Sequence, residues 1–206
     1  YRGAELAEHI QEVMDAVWSC KLYTKCSDAR AEGIGIPVEQ PLAEWTGKQF
    51  AAGNALLFIG ACGIAVRSIA PHVKDKLSDV PVLVADEARQ FVIPLLAGHY
   101  GGANRLAGEL SRALGATAVL TTATDVNGLF AVDVFAATNH LAIASHDGIA
   151  RVSARLLRDG YLTMSVAGEC EGEIPPEVRL VPYPPKEPVD VLVAPQCEAG
   201  ERCSLW

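Results

Sequence analysis

Leu6, Ile10, Val13, Met14 and Val17 recur at helical spacing near the start of the chain, so residues 2–18 are expected to form an amphipathic helix with one apolar face. Residues 21–24 read as a short strand and 31–41 as a loop containing Gly33, Gly35 and Pro37. Residues 42–50 fit a second helix that ends before Gly53-Asn54. Residues 55–59 are uniformly apolar, as expected of a strand buried on both faces. Residues 61–70 then read as a helix stopped by Pro71.

Further on, 81–85 and 91–96 are two strands joined by 86–90, a connection of hairpin length. Pro94 inside the second implies an edge or a bulge, because it has no N–H for the ladder. Residues 102–114 are helical to Gly115, 118–122 form a strand, and 125–128 a turn. The pattern changes after Asp133: a short segment at 134–141, a helix at 147–157, and strands at 161–167, 178–182 and 189–194. This alternation predicts an α/β fold: a mainly parallel, doubly wound sheet with a second, smaller α/β domain. The expected domains are 1–134 and 135–195, followed by a linker or tail at 196–206.

Half of the 206 residues are hydrophobic, enough for a sizeable core, but the apolar runs are too short to span a bilayer. The net charge of −8 argues against nucleic acid as a partner, and an anionic ligand would need local positive features. The six cysteines include no C-x-x-C pair, so no metal site is expected. No signal peptide opens the chain and reduced thiols are expected, so a cytoplasmic protein is the default. A start at Tyr1 rather than Met reads as a trimmed or unseen beginning.

Four clusters can carry chemistry. Gly60-Ala61-Cys62-Gly63 and Arg67 lie between a buried strand and a helix, where backbone N–H groups attract anions and a guanidinium can grip a carboxylate. The same residues fit an ordinary strand–helix turn with a surface arginine. Asp86 ends a strand, where sites in open α/β sheets gather, but it also suits a solvated turn. Gly98-His99-Tyr100-Gly101-Gly102-Ala103-Asn104 sets one histidine in a glycine-rich loop, an unusual place for a core histidine and a good one for a proton shuttle. Thr122, Asp125 and Asn127 lie past the next strand, where turn chemistry explains them equally well. If the sheet is parallel, these clusters meet in one crevice at its carboxyl edge.

The strings FIGACGIAVRSIAPHVKDKLSD (58–79), VLVADEARQFVIPLLAGHYGGANRLA (82–107) and TTATDVNG (121–128) closely resemble the amino-terminal domain of the CbiG family of cobalamin biosynthesis. Residues 133–195 resemble that family's central domain more weakly. The family's carboxy-terminal domain would follow Trp206 and is expected to be absent, and the family's opening strand before the first helix is expected to be missing or cut short. The resemblance implies a cobalt-precorrin-5A hydrolase of the anaerobic B12 route. Such an enzyme opens a δ-lactone, giving cobalt-precorrin-5B and acetaldehyde, and counts as a hydrolase acting on carbon–carbon bonds.

On the matching positions, lactone opening predicts His99 as general base, oriented by Asp125 or Asp86. Amides at Gly101-Gly102 or 60–63 would hold the oxyanion. Arg67, or secondarily Lys74 or Lys76, would hold peripheral carboxylates, with Asn104, Thr122 and Asn127 as further substrate contacts. An axial bond from His99 to the substrate's cobalt is a competing role. No resident cofactor is expected, because cobalt arrives inside the corrinoid substrate. The expected partner is that small molecule, with no nucleic acid and no membrane. Two other readings stay open: a corrinoid-binding fragment without turnover, and an unrelated α/β domain that binds a phosphorylated metabolite at 60–67.

Overall fold

A computed structural model describes residues 2–75 and 77–195. Lys76, Cys197, Cys203 and the expected tail at 196–206 lie outside the described residues. The chain divides into two compact units between Leu120 and Thr121. The division falls before the change of pattern at 134/135 because the helix Val132–Thr138 packs against the helix His146–Asp159 that follows it.

The first unit runs α1 (Arg2–Met14), β1 (Tyr23–Thr24), α2 (Ser27–Ala31), β2 (Ile36–Pro37), α3 (Leu42–Ala51) and β3 (Leu56–Ile59). It continues through α4 (Cys62–Ile69), β4 (Val82–Ala85), β5 (Phe91–Leu96), α5 (Ala103–Leu114) and β6 (Thr117–Ala118). A four-stranded sheet in the order β3-β4-β5-β6 forms its centre, while β1 and β2 make a small parallel pair.

Strand alternation sends successive side chains to opposite faces, and helices cover both. On one face Leu6, Ile10 and Met14 of α1 and Ala103, Ala107 and Leu110 of α5 close over Leu83 and Val92. On the other, Ile69 of α4 packs with Leu56, Val80 and Val82, and Trp45 and Phe50 of α3 lie against them. Burying one such leucine or valine contributes ~1.5–3 kcal/mol, so the two layers together hold the sheet between them. The structure therefore shows the doubly wound α/β arrangement. Helix α1 stops at Met14, earlier than its periodicity suggested, and leaves Val17 69% exposed. Trp18 nevertheless anchors the chain there: its indole N–H donates to Glu109 of α5 at 3.0 Å, and Arg105 lies over its ring.

Among the described residues, five of the six strand pairs are parallel, and β4 and β5 are antiparallel. Their five-residue connection permits nothing else, since a parallel pair needs a crossover of a dozen or more residues. The register shifts between Val82 and Leu83, opposite the stretch of β5 that holds Pro94. The β6 pairing covers Phe91 and Val92, so Pro94 sits past its end as well as opposite the register shift.

The second unit contains α6 (Ala123–Val126), α7 (Val132–Thr138), α8 (His146–Asp159), β7 (Leu162–Val166), β8 (Val178–Val181) and β9 (Val191–Val193). Its sheet is fully parallel in the order β8-β7-β9, and α8 packs on β7. Ser145 caps α8 by accepting from the Gly148 N–H at 3.1 Å, and Gly160 ends it with φ 75°. The buried Asp190 ties the layers together. One carboxylate oxygen accepts from the backbone N–H and hydroxyl of Thr163, both at 2.8 Å, and the other meets Arg155 at 3.2 Å.

Candidate functional site

The reversal between β4 and β5 decides which clusters share an edge. β3 and β4 point one way, β5 and β6 the other. The turn after β3 and the turn after β4 therefore lie at one edge of the sheet. The loop after β5 and the residues after β6 lie at the opposite edge. A six-residue strand spans roughly 20 Å. The expected single crevice holding residues 60–63, 98–104 and 121–127 is thus corrected: Gly60, Gly63 and Asp86 lie across the sheet from His99. Asp86 does not orient His99.

At the first edge, the Gly60 N–H donates to Ala85 O at 2.9 Å, continuing the β3–β4 pairing by one residue. Gly60 then turns with φ 138°, and a Cβ there would meet nothing within 4 Å. Ala61 stands at the cap position of α4, so no side chain closes the helix start. Arg67 folds back over the first turn, its Nη1 donating to Gly63 O at 3.0 Å. Asp86 shapes the neighbouring turn. Its Oδ1 accepts from the Ala88 N–H at 2.9 Å, and its Oδ2 from Gln90 and Phe91 at 2.9 and 2.6 Å. That is the work of a turn carboxylate, which strand-end position alone did not reveal.

At the second edge, the chain from Ala97 to Asn104 closes on itself. The N–H groups of Gly102, Ala103 and Asn104 donate to the carbonyls of His99, Ala97 and Gly98 at 2.9, 3.1 and 2.9 Å. The Gly102 amide, expected to serve an oxyanion, is committed to His99 O. Ala97 takes φ 54° and Gly102 φ 87°. A Cβ on Gly101 would stand 2.4 Å from Ala97 Cβ and 2.9 Å from its carbonyl oxygen, so only glycine fits. Asn104 reaches back over Gly98, where an added Cβ would lie 2.8 Å from Oδ1. The loop thus presents a half-buried His99 on a backbone with little freedom to move.

Thr122, Asp125 and Asn127 belong to the second unit. The Thr122 hydroxyl donates to the Asp125 carboxylate across the single turn of α6, and the Asn127 side chain donates to Ala123 O at 2.7 Å. Asp125 also borders a groove of about 310 Å³ lined by Leu129, Phe130, Val134 and Phe135.

Other expectations resolve as structural. The His72 ring donates through Nε2 to Ala43 O at 2.7 Å and fills the space over Gly47, joining the turn after α4 to α3. Lys74 offers its backbone N–H to the buried Asp79. Burial, with Asp15 nearby, pushes the Cys20 thiol above its ordinary range, which disfavours the thiolate. Among the described residues, no three His, Cys, Asp or Glu side chains gather as a metal would require, and no helix is long and apolar enough to cross a membrane. One cluster was missed from sequence: Arg151, Arg155 and Arg158 line a cavity of about 300 Å³ in the second unit. Their spacing of four and three residues was the available signal.

Helices on both faces of a mainly parallel sheet, with glycine-rich turns at its edges, define an α/β domain of the doubly wound class. Residues 44–125 match the family described as Cobalamin synthesis G N-terminal. The chain is 52% identical over 107 residues to the cobalt-precorrin-5A hydrolase of Salmonella typhimurium, covering 52% of this chain and 30% of that protein. It is 39% identical over 110 residues to the enzyme of the same name from Priestia megaterium, covering 53% and 29%. The chain thus spans less than a third of the length of these two relatives. A crystal structure of a cobalamin biosynthesis protein G homologue from Sulfolobus solfataricus matches 93% of this chain and 56% of its own, with a TM-score of 0.50 at 23% identity, a likeness of fold.

Proposed function

We propose that the chain takes part in cobalamin synthesis as a cobalt-precorrin-5A hydrolase, opening the δ-lactone so that acetaldehyde is released, with carbon–carbon cleavage as the outcome. The observation that supports this most is that the family segment 44–125 contains both glycine-rich turns, including the entire His99 loop. Named relatives with 52% and 39% identity act under that title.

In this reading the chemistry sits at the His99 edge. His99 takes a proton from water as its oxygen adds to the lactone carbonyl, and the acyl C–O bond breaks to leave a carboxylic acid and an alkoxide. The alkoxide oxygen becomes the carbonyl of acetaldehyde as the adjacent carbon–carbon bond breaks, and the carbon left on the macrocycle takes the proton back from His99. The closed loop fixes the base: three backbone hydrogen bonds hold the histidine's neighbours, so the imidazole needs little ordering at the moment of reaction. Asn104, folded over Gly98 beside it, is the near polar group for a substrate carbonyl. Arg67 and the start of α4 lie at the other edge and take no part in the bond-breaking step. Cobalt enters with the substrate, and no resident cofactor belongs to this reading.

The test is the chain incubated with cobalt-precorrin-5A and the acetaldehyde trapped. His99→Gln is expected to slow release by ~10²–10⁴-fold, as loss of a general base does, while Arg67→Gln leaves the rate within a few-fold. Corrinoid binding without acetaldehyde from the unaltered chain would overturn the hydrolase reading in favour of a binding fragment. A slow Arg67→Gln beside a normal His99→Gln would move the chemistry to the opposite edge.

A further inference from the structure

Residues 121–195 carry four arginines, Arg151, Arg155, Arg158 and Arg179, against ten acidic residues. Three of the four arginines fall on one helix, where Asp159 and Asp190 meet two of them. Arg151, Arg155 and Arg158 recur along one face of α8, at i, i+4 and i+7, and line the cavity of about 300 Å³ with Val152, Ala154 and Asp190. Arg179 of β8 joins them through Tyr161: its guanidinium lies 3.5 Å from the ring centroid, and that of Arg155 lies 5.5 Å from the same ring.

The arrangement is preorganised. Asp190, held by Thr163, fixes Arg155 from below, and Asp159 grips Arg158 through two bonds of 2.8 and 2.9 Å. A ring shared by two guanidinium groups orders them but does not cancel their repulsion. Asp190 and Asp159 offset part of the charge on Arg155 and Arg158, Asp159 also standing 3.7 Å from Arg155 Nε, and an anion at the outward edges of these guanidinium groups adds to that pairing. Guanidinium groups held in place lose little freedom on meeting a ligand, and their planar forks match carboxylate oxygens in pairs.

We infer that the Arg151–Arg155–Arg158 face, with Arg179 beside Tyr161, is a binding site for a small molecule carrying several carboxylates. Its length selects the ligand: seven residues of helix span about 10 Å, too far for one phosphate but suited to carboxylates spread around a larger frame. The inference rests on the proposed function only in naming that frame, a macrocycle bearing peripheral carboxylates.

The experiment titrates the full chain with tricarballylate and separately with pyrophosphate, by calorimetry. Tricarballylate is expected to bind, more weakly as salt is added, and roughly tenfold more weakly to the double variant Arg151→Gln/Arg158→Gln. Both side chains lie toward solvent, so the fold should survive, and circular dichroism checks it. Arg158→Lys keeps the charge without the fork and should fall between. Arg112→Gln, on α5 of the first unit, should bind as the unaltered chain does. No binding of tricarballylate, or equal binding by the double variant, overturns the inference; binding of pyrophosphate in its place overturns the carboxylate assignment. The probe has neither lactone nor cobalt, so this outcome is independent of whether the chain hydrolyses a corrinoid.

Discussion

The two glycine-rich turns of the first unit look alike as sequence and behave oppositely as structure. The turn at Gly60–Gly63 is open: a side chain added at Gly60 would find empty space, and no side chain closes the start of α4. The turn at Gly98–Asn104 is shut, with its amides spent on its own carbonyls and Gly101 pressed against Ala97. Glycine serves conformation in the first and close approach in the second. An open turn can accept a ligand on its backbone; in the shut one the Gly102, Ala103 and Asn104 amides are committed, and what it offers is the His99 side chain with Asn104 beside it.

Substitutions can break this contrast. Gly101→Ala meets a backbone oxygen at 2.9 Å and the Ala97 Cβ at 2.4 Å, neither of which can swing away. It should cost ~2–4 kcal/mol, read as a lower urea midpoint, through overpacking and backbone shift. A midpoint unchanged from the unaltered chain would show that the loop is not shut. Asp86→Ala removes the acceptor for three turn amides that water can still reach, so about 1–2 kcal/mol is expected by the same measurement. Gly63→Ala should be the mildest, neutral or stabilising by ~0.5–1 kcal/mol. It sits within α4, where alanine is the better helix former, and its Cβ would meet only the mobile end of Arg67, at 3.2 Å. Destabilisation as large as that of Gly101→Ala would erase the difference between the turns.

Much of the architecture was legible from periodicity and punctuation. Gly115 and Gly160, both with positive φ, end α5 and α8 close to where the apolar pattern stopped. The two-residue strands β1 and β2 were too short to show alternation, and Ile36–Pro37 read as loop. The single crevice failed for a reason present in the sequence. Residues 86–90 are too few to return a strand in parallel, so the hairpin that was expected already separated His99 from Gly60. Asp86 was misjudged because its position at a strand end says nothing of the three amides that curl back toward it. The arginine face shows in the sequence as a regular spacing of charge along α8, which a solvated helix face displays equally well.

The packing of α1 against α5 has a consequence in time. The indole of Trp18 bonds to Glu109, 91 residues away, and the α1 side of the core draws on Leu6 and Leu110 together. The opposite side, between Trp45 and Leu96, needs only a short stretch of chain. As the polypeptide leaves the ribosome at about 5–20 residues per second, one layer can assemble while the first helix still waits for its partner. Closing so long a loop costs entropy before any contact repays it. The amino-terminal helix should therefore be the last piece to dock during synthesis and the first to lift away when the unit opens.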